Sequence, residues 1–324
     1  MKQFLSSLLV CSLLMMGGCG QKASLNTEQN EEPNIASEEQ TEKLVILDDL
    51  NREVTFEKQP ERVAVLSHAL VNLYYDVGGE AVARMNESTN HIPIREKAKD
   101  LEEVGPVYNI NVEKLVSVKP DLVIGEIKTH ERFINILEEN NIPVILFNMD
   151  TYDDVIKTTK ILSQITEEED IGAKSTEELQ QKIDAIISKM PNETKKVAIL
   201  YVTAKDVTLE TEKTIAGDVV KRLGLKNIIE DVNLPETMNR APFSMEEIVE
   251  RDPDFLFIVT MGQKDKNDAQ IEKTLNSNPA WQSLRAVKEN KVVELPQHLF
   301  LTNPGLNLDE AYQYIVDNVY PEGF

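Results

Sequence analysis

The chain has 324 residues, of which 56 are acidic and 34 basic, so its formal net charge at pH 7 is −22. Such a charge is repelled by nucleic acid and by an anionic membrane face, and we exclude both as ligands. The two cysteines, Cys11 and Cys19, lie near the N-terminus, which excludes a disulfide framework or a cysteine metal cluster in the rest of the chain. A chain of this length is typical of two lobes rather than one.

The N-terminus has the pattern of a lipoprotein signal. A short apolar run begins after Lys2 and closes at residues 13–19, Leu-Leu-Met-Met-Gly-Gly-Cys. The run is too short to span a bilayer, and the two glycines let a peptidase approach the backbone before Cys19. We expect a signal peptide over residues 1–18 and a lipidated Cys19, whose two acyl chains would give stable membrane anchoring. An ordinary secretory signal that is cut elsewhere is the alternative.

A polar tract precedes the folded region. Residues 19–41 are rich in Asn, Gln, Glu and Ser, a composition typical of a flexible tether. Two short strand patterns follow at residues 43–49 and 52–57, with a polar turn between them. They predict a small hairpin at the start of the folded region.

Buried strands alternate with helical patterns along the rest of the chain. This alternation predicts an α/β protein with parallel sheets. The apolar runs that we assign to strands are residues 63–66, 122–124, 144–147, 197–202 and 255–259.

An internal repeat gives the domain organisation. Residues 111–124 align without a gap on residues 244–257, and each copy reads as a helix, a Pro-Asp turn and a buried strand. Asn111 and Ser244 stand at the N-cap positions of the two helices. Two upstream segments, residues 62–66 and 196–200, match in the same way. The repeat predicts two lobes of like topology.

A helical segment joins the two copies. Residues 152–165 and 175–190 both have helical periodicity, the second with Ser175 as its N-cap. A long helix between two lobes would act as a spine and permit only modest closure, with ligand bound between the lobes at the carboxyl ends of their strands. The predicted division is an N-terminal α/β lobe over residues 42–165, a spine helix over 166–191 and a C-terminal α/β lobe over 192–324.

The chain resembles the substrate-binding lipoproteins of ABC importers for iron complexes and cobalamin. The matching stretches are residues 48–56, 62–67, 113–124, 141–144 and 278–288. The resemblance implies a helical-backbone, periplasmic-binding-protein-like fold of two Rossmann-like lobes with parallel sheets joined by a single long spine helix. It also implies a permease dimer with a cytoplasmic ATPase as partner, and a lipid-anchored protein on the outer face of the cell membrane, as on a Gram-positive surface.

Within this class, residues 278–293 and 299–300 are most similar to Gram-positive heme-binding lipoproteins of the iron-regulated surface type. The resemblance therefore implies heme as the transported ligand, with a ferric siderophore as the close alternative and cobalamin behind both. These ligands are cargo, and no catalytic cofactor is implied.

The resemblance also implies two ligands for the heme iron. In related heme binders the loop that contains Tyr108 carries an axial ligand, and a phenolate is a hard donor suited to ferric iron. In the opposing lobe, Met261 stands where those lipoproteins place a histidine, and a thioether can ligate heme iron. Packing roles for both side chains are the alternatives.

Histidines and cations supply the other candidate contacts. The four histidines fall in predicted loops, and His68 and His130 directly follow strands, with His68 the better placed to contact ligand. No pair has the spacing of a zinc site. Three basic residues could bind a carboxylate or an oxygen-rich iron chelate, with surface roles as the alternative. They are Arg240, Arg95 and Lys128.

Two acids are singled out by the repeat. Glu113 and Glu246 occupy equivalent positions, and in the family such paired acids are docking points for arginines of the permease dimer. Placement of negative charge at a helix N-terminus is the competing explanation.

Motifs of catalysis do not occur in the sequence, which has no nucleophile elbow, phosphate-binding glycine loop or zinc-protease motif. We therefore predict a binding protein and not an enzyme. An extracytoplasmic ligand sensor of the same fold is the alternative from another class.

Overall fold

The computed structural model of the protein describes residues 43–86, 92–235 and 237–321. The predicted signal peptide, the lipidated Cys19 and the tether lie outside the described residues, as does His91. Among the described residues, no helix combines the length and apolarity that crossing a bilayer requires.

The strands of the described chain are β1 (Leu44–Leu47), β2 (Glu53–Phe56), β3 (Val63–Val65), β4 (Ala81–Arg84), β5 (Glu102–Glu103), β6 (Leu122–Glu126), β7 (Val144–Phe147), β8 (Lys196–Thr203), β9 (Val207–Glu210), β10 (Lys226–Asn227), β11 (Arg240–Pro242), β12 (Phe255–Met261) and β13 (Val292–Leu295). The α-helices are α1 (His68–Asp76), α2 (Val112–Ser117), α3 (Ile127–His130), α4 (Ile134–Glu139), α5 (Tyr152–Ile165), α6 (Glu169–Ile187), α7 (Ile215–Arg222), α8 (Met245–Arg251), α9 (Lys264–Ile271), α10 (Pro279–Ser283), α11 (Arg285–Lys288), α12 (Gln297–Phe300) and α13 (Asp309–Val319).

The predicted hairpin is confirmed, with β1 and β2 paired antiparallel. Its turn is organised by the buried carboxylate of Asp48, which accepts hydrogen bonds from the backbone N–H groups of Leu50 and Arg52 at 3.0 and 2.9 Å. The guanidinium of Arg52 donates to the same carboxylate at 2.7 Å. The polar turn therefore satisfies a charge that would be costly to bury alone.

The two sheets differ in strand direction. The N-terminal sheet has the order β5-β4-β3-β6-β7 and is parallel throughout, as predicted. The C-terminal sheet runs β11-β9-β8-β12-β13, and β9 pairs antiparallel with both β8 and β11, so this sheet is mixed. The reason is the short connection between β8 and β9, where the Thr203 hydroxyl accepts from the backbone N–H groups of Lys205 and Asp206. A parallel crossover needs a far longer connection.

The internal repeat is confirmed in three dimensions. Strands β3 and β8 hold equivalent places beside β6 and β12. In each lobe the aspartate of the Pro-Asp turn accepts a hydrogen bond at 2.8 Å from the backbone N–H that begins the neighbouring strand, Asp121 from Arg62 and Asp254 from Lys196. The same hydrogen bond from backbone to aspartate is thus formed at the start of the central strand pair in both lobes.

The N-caps of the repeated helices are also confirmed. The Asn111 side chain accepts from the backbone N–H of Lys114 at 3.0 Å, and the Ser244 hydroxyl accepts from that of Glu247 at 3.2 Å. Each satisfies a backbone donor that the helix itself leaves unpaired.

The helix that the sequence pattern begins at Ser175 starts earlier in the structure. Helix α6 starts at Glu169, so Ser175 lies inside the helix and is not its cap. The acidic first turn favours this start through the helix dipole, and Gly172 permits it. A Cβ at Gly172 would lie 2.5 Å from the Ser163 hydroxyl on α5, so the absent side chain lets the two helices cross closely. Gly172 is therefore a packing residue within the helix.

One apolar cluster contains buried residues of both lobes, and a second cluster lies within the C-terminal lobe. The shared cluster includes Val65 and Ile124 of the N-terminal sheet, Leu179 of α6, and Phe257 and Tyr312 on the C-terminal side. The described residues belong to one compact unit. A core shared in this way resists wide separation of the lobes.

Polar contacts between α5 and α7 reinforce this junction. The Asp218 carboxylate on α7 accepts from the backbone N–H of Tyr152, the first residue of α5, at 2.9 Å. Arg222 lies over the Tyr152 ring at 4.4 Å and pairs with Asp153 at 2.8 Å. We call these contacts the α5–α7 junction. It joins elements on either side of the predicted lobe boundary.

Candidate functional site

A cleft lies at the carboxyl ends of both sheets, where the sequence predicts the ligand. It encloses about 970 Å³ of non-atom space, open solvent at its mouth included. Its lining from the N-terminal lobe is Ser67, His68, Val107, Tyr108, Glu126, Lys128, Thr129, Phe147, Asn148, Met149 and Asp150. Its lining from the rest of the chain is Tyr201, Ile215, Arg240, Met261, Leu301, Thr302 and Asn303.

Most of the ligand contacts predicted from sequence meet in this cleft. Those that line it are Tyr108, Met261, His68, Arg240 and Lys128. Arg95 lies outside the lining, where its guanidinium forms a bidentate pair with the Asp76 carboxylate at 2.7 and 2.6 Å. Its charge is already committed to that partner.

The Tyr108 loop is held from below by His130. The ring Nδ1 accepts from the backbone N–H of Glu126 at 2.9 Å, so Nε2 carries the proton and donates to the carbonyl of Val107 at 3.1 Å. Burial lowers the pKa of His130 to about 4, which keeps the ring neutral. His130 therefore fixes the loop and does not contact ligand.

Tyr108 projects from this loop with 56% of its surface exposed. The Arg132 guanidinium donates to its backbone carbonyl, which steadies the residue without engaging the phenol. Burial and the charge of Glu126 raise the pKa of Tyr108, so the hydroxyl is protonated in the empty cleft. A cationic metal centre would be needed to displace that proton.

Met261 ends β12 on the opposite side of the cleft, and its sulfur is hydrogen-bonded. The hydroxyl of Tyr201, on the neighbouring strand β8, donates to the Met261 sulfur at 2.6 Å. Burial raises the pKa of Tyr201 to about 12, so this phenol remains a donor. The Tyr201 ring is covered by the Arg240 guanidinium, 3.6 Å from its centroid.

Arg240 is held by a carboxylate that lies behind the cleft. Its Nε and Nη2 both donate to Oε1 of Glu210, at 3.1 and 2.7 Å. Glu210 is only 1% exposed, and the Thr214 hydroxyl donates to its other oxygen at 3.2 Å. Burial raises the pKa of Glu210, and the charge of Arg240 opposes that rise.

The N-terminal wall has a similar balance of charge. Lys128 forms an ion pair with Asp150, and the Ser67 hydroxyl donates to the Glu126 carboxylate. Burial raises the pKa of Glu126, with the Ser67 hydrogen bond acting in the other direction. The cleft therefore mixes apolar walls with charges that are largely compensated.

The prediction that the histidines lie in loops is wrong for those that the structure describes. His68 begins α1, His130 ends α3 and His298 lies within α12. In each case at most two residues separate the helix from the end of the preceding strand. Among the described residues, no group of three or more His, Cys, Asp or Glu side chains could hold a metal ion.

The repeated acids lie on the surface. Glu113 and Glu246 are exposed in the first turns of α2 and α8. In the described part of the chain neither forms an ion pair, whereas the neighbouring Glu247 pairs with Arg251 at 3.0 Å. Both carboxylates are available to an external cation.

Several cleft residues escaped sequence reasoning. Tyr201 lies inside an apolar strand pattern, and only its position near the carboxyl end could have marked it. Glu126 ends β6 and Asp150 closely follows β7, and a position just past a buried strand is also what marks His68 and His130 in the sequence. No local sequence pattern marks Glu210, because it acts through Arg240, which lies 30 positions away in the sequence.

Two lobes of like topology, a helical spine and a cleft at the carboxyl ends of the sheets define a solute-binding protein. The family model described as "Periplasmic binding protein" matches residues 63–299, and the chain belongs to that family. It is a substrate-binding protein of the kind that serves ABC importers of iron complexes and cobalamin. The family consists of transport proteins and not of enzymes.

The relatives of the chain are named for different ligands. The Fe(3+)-citrate-binding protein YfmC of Bacillus subtilis is 23% identical over 309 residues, covering 94% of this chain and 92% of the relative. A cobalamin-binding protein of Halobacterium salinarum is 26% identical over 245 residues, 75% of this chain and 65% of the relative. The structure of S. aureus IsdE complexed with heme has a TM-score of 0.71 at 20% identity, covering 80% of this chain and 98% of that one. The similarity to that structure concerns the fold.

Proposed function

We propose that this protein captures heme outside the cell and delivers it to an ABC permease, with Tyr108 and Met261 as the axial ligands of the iron. The observation that carries the proposal is that a phenol from one lobe and a thioether from the other line the same cleft. Phenolate suits ferric iron, and thioether suits the ferrous state. The likeness to a heme-binding relative of the same fold supports the choice.

The walls of the cleft suit a flat macrocycle. Besides Met261 and the two tyrosines, five apolar side chains line it: Val107, Phe147, Met149, Ile215 and Leu301. Heme binding here would require the Tyr108 proton to leave, and Glu126 is a nearby carboxylate whose raised pKa suits it as the acceptor. It would also require the Met261 sulfur to give up or share the hydrogen bond from Tyr201.

An absorption titration with hemin tests the proposal. The protein from residue 43 onward should give a saturable one-to-one heme spectrum, and Tyr108→Phe should change the ligand-field bands and weaken binding. The control is Tyr314→Phe, which removes the same hydroxyl from a tyrosine outside the cleft lining. An identical spectrum in Tyr108→Phe would refute the axial role, and no hemin binding by the wild type would refute heme as ligand.

A ferric siderophore is the second candidate. The observation that favours it is the polar part of the lining, which includes Thr129, Asn148, Thr302 and Asn303. Calorimetry with a ferric hydroxamate decides between the two candidates. Fluorescence would report poorly, because Trp281 is 2% exposed, packs in the C-terminal core and does not line the cleft.

We also propose that Glu113 and Glu246 dock the permease and that Cys19 anchors the protein by its lipid. Reversing both glutamate charges should abolish uptake and leave ligand affinity intact, because both side chains lie outside the cleft lining. Cys19→Ala should release the protein from membranes. Normal uptake in the first variant, or membrane retention in the second, would remove the corresponding role.

A further inference from the structure

The cations that line the cleft in the described chain are Lys128 and Arg240, and each is engaged by a carboxylate. Lys128 pairs with Asp150 at the cleft surface. Arg240 pairs with Glu210, whose side chain is 1% exposed and cannot turn towards solvent. Glu126 adds a further carboxylate, which is hydrogen-bonded by a neutral hydroxyl. In and behind the cleft there are thus two cationic side chains and three carboxylates.

The Arg240–Glu210 pair is rigidly built. The Asn227 side chain donates to the Glu210 backbone carbonyl at 2.8 Å, while the Thr214 hydroxyl holds the carboxylate. On the other side, the Arg240 guanidinium lies over the Tyr201 ring, 3.6 Å from its centroid. Since the pair is fixed before ligand arrives, a ligand anion meets an arginine whose charge is already neutralised.

We propose that Glu210 is a specificity-determining residue. By neutralising the charge of Arg240, it makes the cleft bind iron complexes of low net charge in preference to polyanionic ones. The inference rests on the proposed function only in that the cleft binds an iron complex. Glu210 does not line the cleft and acts as a positioning residue through Arg240. Without it, Arg240 would present a full positive charge to the ligand.

The test is the charge preference of Glu210→Gln. Glutamine keeps the shape of the side chain and an acceptor for Arg240, and only the charge is lost. Two probe pairs differ mainly in charge: hemin against its dimethyl ester, and a trianionic ferric tris-catecholate against a neutral ferric tris-hydroxamate. Affinities are measured by calorimetry or by competition at one ionic strength.

For each unit of charge by which the two probes differ, the affinity ratio of the more anionic to the less anionic probe should rise on the order of tenfold in Glu210→Gln, as expected for unit charges about 10 Å apart at an effective dielectric constant of about 20. General damage to the cleft would lower both affinities and leave the ratio unchanged. The double variant Glu210→Gln, Arg240→Gln should have the affinity ratio of the wild type, because the positive charge that Glu210→Gln leaves uncompensated is then removed.

Two further variants complete the design. Glu289→Gln removes the same charge from a surface pair with Lys291, outside the cleft lining, and should leave the ratio unchanged. Asp150→Asn frees Lys128 and should shift the ratio in the same direction as Glu210→Gln, which keeps the test decisive if the buried variant folds poorly. Binding with unchanged ratios in both variants overturns this inference alone. No binding of any probe by the wild type overturns the proposed function as well.

Discussion

His130 should make the stability of this protein depend on acid pH. Burial lowers its pKa from 6.5 to about 4, a difference of about 2.5 units. At 1.36 kcal/mol per unit this corresponds to about 3 kcal/mol. Because the folded pKa is the lower one, the unfolded chain takes up the proton first. The contribution is therefore present above pH 6.5 and is lost as the pH falls towards 4.

The substitution His130→Gln removes this titration while retaining an amide that can hydrogen-bond in the same place. At pH 7 the variant should be less stable than the wild type, because the bonds to Glu126 and Val107 are weakened. Between pH 7 and pH 4 the difference between the two proteins should shrink by about 3 kcal/mol. Titration of the many carboxylates affects both proteins alike and cancels in the difference.

Urea unfolding at a series of pH values measures this difference directly. Proton NMR of the His130 ring gives an independent reading, since the ring should stay neutral until about pH 4. Parallel stability curves for the two proteins, or a ring that titrates near pH 6.5, would refute the reasoning.

Three other substitutions test the fold and the cleft. Burial raises the pKa of Glu126, so the wild type loses stability as the pH rises through the pKa of the folded protein. Glu126→Gln should therefore be more stable than the wild type at pH 8, but not at pH 4, when both are unfolded in urea. Asp218→Ala removes the carboxylate that accepts from the Tyr152 backbone N–H, leaves that donor unpaired and should cost about 2 kcal/mol, lowering the calorimetric Tm by roughly 5 °C; an unchanged Tm would exclude a stabilising junction. Gly217→Ala places a Cβ 1.9 Å from the Thr211 carbonyl oxygen and should prevent folding, so a wild-type circular dichroism melt would contradict the packing described.

Local patterns were sufficient for most of the fold. The caps at Asn111 and Ser244 and the aligned Pro-Asp turns are short-range features, and they predict the duplicated helix and strand without tertiary information. The antiparallel β9 depends on a three-residue connection that a strand pattern does not reveal. The start of α6 depends on how closely α5 passes Gly172, which is a tertiary fact.

The site was predictable where a residue follows a buried strand. That rule finds His68 and Lys128, because the carboxyl ends of parallel strands meet at one edge of a sheet. It cannot find Glu210, whose partner Arg240 is brought to it by the antiparallel pairing of β9 with β11. Arg95 was predicted from its charge alone, and its partner Asp76 lies on α1. Ion pairs between distant segments are set by the fold and leave no local pattern.

The core shared by the two lobes has a practical consequence for finding the ligand. With one continuous apolar cluster running from Val65 to Tyr312, the lobes should melt together in a single cooperative transition. Any compound that binds the folded cleft then stabilises the whole chain, by about 2.7 kcal/mol when its concentration is 100 times its Kd. A thermal-shift screen of iron chelates and tetrapyrroles would therefore register the natural cargo without a label, a spectrum or a transport assay.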